Sequence, residues 1–89
     1  MSRRRAYSDR TLEIMSRFYT AFDAANEVGR IKSINQFCLD AGIDKRHFYA
    51  QRKDLGKGFF EVGWLVPLIT ECGVSSAWLL TGVGSMFNA

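Results

Sequence analysis

The chain has 89 residues, of which 47% are hydrophobic and 24% charged, with a formal net charge of +3. That is enough chain for one domain with a modest core, without help from metal or disulfide. One histidine and two widely separated cysteines, Cys38 and Cys72, give neither a disulfide framework nor a zinc-ligand spacing. The longest apolar stretch, VGWLVPLI, falls far short of the ~20 residues of a membrane span, and the basic MSRRR runs into the polar AYSDR with no signal-peptide core. The expected setting is the cytoplasm, associated with the nucleoid, with reduced thiols and no membrane contact.

Charge is unevenly placed. Arg3, Arg4 and Arg5 make a basic head, and between Asp44 and Lys57 five bases face two acids. From Glu61 onward there are two acids and no base. The positive potential is therefore concentrated in the head and the middle of the chain.

Residues 1–7 read as a flexible basic arm, followed by a single domain over 8–89. Ser8 or Asp9 can cap a first helix, in which Leu12, Met15, Tyr19 and Phe22, with Ile14, Phe18 and Ala25, form a broad apolar stripe at helical spacing. Gly29 is its natural stop. Ser33 and Gln36 have the spacing of a capping box and open a short helix with Phe37 and Ala41 inward, ended by Gly42. Asp44 caps a third helix that runs to about Lys53. DLGKGFF then reads as a loop. A fourth helix is expected from roughly Val62 to Cys72, starting late near Gly63 or bending at Pro67, because proline suits only a first helical turn. Gly73 ends it, and Ser75 caps a last short helix through Leu80. The expected fold class is all-α with about five helices, and Trp64, Trp78, Phe59 and Phe60 are assigned to the core.

The segment Ile34–Lys53 resembles the helix-turn-helix of phage-repressor-like (Cro and cI type) DNA-binding domains. Phe37 and Cys38 stand where that family has an apolar and then a small residue, Gly42 in the turn, Ile43 after it, and Phe48 in the middle of the second helix. Cys38 occupies a position where alanine is usual, and Gln51 one where the family buries a further apolar side chain, a departure that suggests a shifted packing angle. Ile34 stands where the family has glutamine near the start of its first helix, with Gln36 close by. The tail VSSAWLLTGVGSMF is similar to the end of small regulators of phages and mobile elements. The resemblance spans about Ser33–Phe87 and implies a lambda-repressor-like fold, double-stranded DNA as partner and a homodimer on a two-fold site.

With Phe48 turned inward, 100° per residue puts Arg46, Ala50 and Lys53 on the opposite side of the third helix, Tyr49 beside them and Lys45 near the helix start. In the docking mode the resemblance implies, Lys45, Arg46, Tyr49 and Ala50 are the candidates for base contacts, with Arg46 able to fork onto guanine O6 and N7. Ser33, His47, Lys53 and Lys57 are the candidates for phosphate. Arg3, Arg4 and Arg5 are read either as a solvated head or as an arm on phosphate in the minor groove. Arg52 projects nearer the core and is expected to snorkel or pair with an acid, and not to read DNA. No nucleophile–base pair, phosphate-binding glycine loop or supported carboxylate pair is present, so neither enzymatic activity, nor a cofactor, nor a small-molecule substrate is expected. The expected function is transcriptional regulation, as a repressor acting by occupancy. The alternative is a repressor-fold adaptor or antirepressor that binds protein through its apolar tail.

Overall fold

The computed structural model describes residues 6–88 and is all-α in its regular structure. It contains α1 (Asp9–Glu27), α2 (Ile34–Ala41), α3 (Lys45–Lys53), a 3-10 turn (Val62–Trp64), α4 (Leu65–Thr70) and α5 (Ser76–Thr81). Local chemistry sets the helix starts. The side chains of Ser8, Ser33, Asp44 and Ser75 each accept a hydrogen bond from an amide in the first turn of the helix that follows. Pro67 lies in the first turn of α4, where its missing N–H has no partner to lose, and the α-helix starts late, after the 3-10 turn. It ends at Thr70, two residues short of the Cys72 expected from the sequence.

α1 runs through the middle of the molecule. Its Phe18, Tyr19 and Phe22 meet Phe37 of α2 and Phe48 of α3 in one aromatic cluster, with centroids 4.9 Å apart for Phe22–Phe37 and 5.0 Å for Phe22–Phe48. Edge-to-face contacts of this kind add to plain burial. Trp64 is buried and packs on Phe60, while Phe59 and Phe60 are half-buried, in keeping with the core assignment. Leu79 is the fully buried member of α5, and Trp78 beside it is only half-buried. The chain then folds back. Val74 and Phe87 form an antiparallel bridge, with the Ser75 amide donating to Met86 O at 2.8 Å and the Asn88 amide to Gly73 O at 2.9 Å.

Two arginines tie this end together. Arg17 of α1 donates to the Leu79 and Leu80 carbonyls at 2.8 and 3.1 Å, covering acceptors at the end of α5. Arg30 donates to Cys72 O at 2.7 Å and lies 4.6 Å from the Phe87 ring centroid. Among the described residues, no helix is long and apolar enough to cross a membrane.

Two expectations need correcting. The capping box at Ser33 is only half formed: Ser33 Oγ takes the Gln36 amide at 3.0 Å, but the Gln36 side chain donates to Asp40 Oδ1 at 2.9 Å. The Gln36 amide is donor to a carboxylate one turn ahead, a charge-assisted bond, so its Oε1 does not turn back to accept the Ser33 N–H. The arm is also shorter than seven residues, since Tyr7 is half-buried and its hydroxyl donates to Gly58 O at 3.1 Å. Residues 1–5, with Arg3, Arg4 and Arg5, lie outside the described residues.

Candidate nucleic-acid interface

α2 and α3 are joined through Gly42, which sits at φ 70°, a conformation that costs most side chains but not glycine. Its amide donates to Leu39 O and that of Ile43 to Cys38 O at 2.8 Å, so two carbonyls at the end of α2 are satisfied within the turn. Cys38 is buried on α2, on the side turned to the core. The thiol is small enough for two helices so closely connected, and burial pushes its pKa up.

α3 shows one face to the core and the other to solvent. Phe48 and Gln51 are fully buried, and the Tyr19 hydroxyl donates to Phe48 O at 3.2 Å. All the other side chains of the helix are exposed. Arg46, Tyr49, Ala50 and Lys53 follow one another at i, i+3, i+4 and i+7, which makes them a single outward stripe without an acid. Lys45 lies to one side, where its Nζ donates to Asn35 Oδ1 at 3.3 Å. That contact brings the first turn of α3 against the first turn of α2, where Ser33 is exposed. Ser33 Oγ is used as an acceptor by its own helix, which leaves the hydroxyl proton to donate. Asn35 is a polar group in this cluster that sequence reasoning missed, because its spacing from the cap carries no signal.

The charges on α3 divide into engaged and available. Arg46 pairs with Asp44, Nη2 to Oδ2 at 3.2 Å, with the arginine side chain 91% exposed. Hydrogen bonds from Arg46, side chain first and backbone second, hold the Asp44 carboxyl below its usual range. An ion pair this open contributes little and exchanges readily for another acceptor. Arg52 is held differently. Its Nη2 lies 2.7 Å from both Asp23 oxygens and its guanidinium 5.6 Å from the Tyr19 ring centroid, so it braces α3 against α1, as its inward projection predicts. His47 is exposed, with its ring 5.3 Å from Phe59. Lys53 and Lys57 are exposed, one ending the helix and the other in the turn beyond it.

Gln51 occupies the buried position itself. Its Nε2 donates to Leu55 O at 2.9 Å and contacts Met15 Sδ at 3.1 Å, while Oε1 is buried without a partner. An unsatisfied buried acceptor costs about 1–3 kcal/mol. Among the described residues no group of three or more His, Cys, Asp or Glu side chains could hold a metal ion.

Compared with protein-family models, curated proteins and solved structures, the chain matches none.

Proposed function

We propose that the chain is a sequence-specific, double-stranded-DNA-binding transcriptional regulator of the phage or mobile-element type, with α3 as its recognition helix. The observation that supports this best is the outward stripe of α3. Arg46, Tyr49, Ala50 and Lys53 stand in solvent with no acid among them, on a helix held from behind by Phe48 and Gln51. Such a helix fits the major groove, and its first turn is the part that reaches base edges. In this reading Lys45, Arg46, Tyr49 and Ala50 meet bases. Ser33, His47, Lys53 and Lys57 meet phosphate, and Arg3, Arg4 and Arg5 add counterion release. A homodimer on a two-fold operator supplies the second half-site, and repression follows from occupancy alone.

Selection of bound duplexes from a random pool, followed by titration of the winner at several salt concentrations, tests the reading. The expected result is one enriched motif, bound more weakly as salt rises. A pool without enrichment, together with binding indifferent to salt, overturns it. The second reading, a protein-interaction module, is favoured by the exposed Leu80 and Val83 at the end of α5, which are 48% and 73% accessible. It predicts a protein partner captured through those residues and no duplex affinity.

A further inference from the structure

The one fully buried polar side chain among the described residues is Gln51, on the inner face of the helix assigned to DNA. Its burial is not explained by packing alone. A leucine or methionine would fill similar volume without leaving Oε1 unpartnered. What the amide provides is its bond to the carbonyl of Leu55, which lies beyond the end of α3 in the turn that carries Lys57. The opposite amide orientation would set Oε1 against that carbonyl, two acceptors face to face, so the bond fixes which way the side chain points.

Around this bond the chain doubles back on α3. The amides of Lys57 and Gly58 both donate to Asp54 O at 3.1 Å, and Gly56 N donates to Asp54 Oδ1 at 3.2 Å. Gly58 then presses on Gln51 so closely that a Cβ there would come 2.3 Å from Gln51 Cα. From the other side, the Tyr7 hydroxyl takes Gly58 O. The turn 54–58 is thus held at Gln51 and at Tyr7.

We infer that Gln51 is a positioning residue for the interface: by holding Leu55 O it sets the course of the turn 54–58 and so makes Lys57 a fixed second phosphate contact beyond Lys53. The inference rests on the DNA-binding reading for its phosphate contact, but not for the path of the turn.

The experiment uses the full chain and four variants: Gln51→Leu, Gln51→Met, Lys57→Ala and the double variant Gln51→Leu/Lys57→Ala. Three quantities are read: the melting temperature, native-state exchange of the Lys57 and Gly58 amides, and the salt slope of affinity for a duplex that the parent binds. Both Gln51 variants are expected to melt no lower than the parent, yet to exchange those two amides at least about tenfold faster, while α1 amides keep their protection. Each of Gln51→Leu and Lys57→Ala should flatten the slope by about 0.9, one phosphate contact, and the double variant by no more than either. Unchanged exchange at Lys57 and Gly58 in both Gln51 variants overturns the inference. So does a double variant whose slope loss is the sum of the singles, since Lys57 would then act independently of Gln51. If the parent itself binds no duplex, the DNA-binding reading fails separately, and the exchange readout still decides whether Gln51 sets the turn.

Discussion

Asp44 performs two tasks at the start of α3, and they pull in different directions. As cap it accepts the Arg46 amide at 2.8 Å, and as ion-pair partner it occupies the Arg46 guanidinium. Asparagine caps about as well as aspartate but carries no charge. Asp44→Asn is therefore expected to leave the melting temperature near that of the parent and to tighten duplex binding, because Arg46 is released and one negative charge leaves the interface. Unchanged affinity in a titration would show that the pair breaks at no cost. The complementary change, Arg46→Ala, is expected to weaken binding by about five- to a hundredfold and to relax preference at one base pair, which selection from the random pool reads directly. The ion pair also predicts a pH response. The Asp44 carboxyl is lowered from its ordinary 3.8 in the folded protein. Its contribution is complete above that value and is lost as pH falls through the lower folded value. The Arg46 amide resonance should titrate in that acid range, and Asp44→Asn should abolish the titration.

Helix starts and stops were legible at the level of elements because their causes are local. Four caps and the glycine turn between α2 and α3 rest on residues within a few positions of each other, and the apolar stripe of α1 states its own buried face. The all-α class followed from these. What the sequence did not disclose is how distant segments meet. Arg17 reaches carbonyls of α5, Tyr7 reaches Gly58, and the buried Gln51 amide reaches Leu55 O. Each is a long-range or buried polar contact, and helical periodicity says nothing of either. The candidate interface divides in the same way: the outward stripe of α3 follows from its period of 3.6, whereas the pairing of Lys45 with Asn35 and the clamp on Lys57 do not. A glycine pair tests the clamp as an element. Gly58→Ala must displace backbone of α3 and is expected to destabilise by about 1–3 kcal/mol, an overpacking cost. Gly63→Ala, with open space around the new methyl, should cost nothing. Denaturant midpoints compare the two directly, and equal midpoints would mean that the loop yields without resistance. Trp78→Ala belongs here as well. Since Trp78 is half-buried, its loss should fall below the roughly 3–5 kcal/mol typical of a fully buried tryptophan.

The described part of the molecule presents α3, and Arg3, Arg4 and Arg5 precede it in the sequence. The two are expected to contribute differently to binding. α3 is held in one orientation by Phe48, by Gln51 and by the Arg52–Asp23 pair, which in the DNA-binding reading would let its side chains discriminate between base edges. The head precedes Tyr7, the first side chain seen to anchor the chain to the loop after α3. In the DNA-binding reading, the three arginines would add phosphate neutralisation to that of Lys53 and Lys57. Each phosphate neutralised is worth about 0.9 in the slope of log affinity against log salt. Removing residues 1–5 is therefore expected to weaken all duplexes together and to flatten the slope by up to about 3, while base preference in the selected pool stays the same. If the truncated chain instead changes which A·T-rich sequences it prefers, the head reads groove width and takes part in recognition. A chain that keeps both affinity and slope after truncation would confine the interface to α3, the start of α2 and the turn behind Gln51.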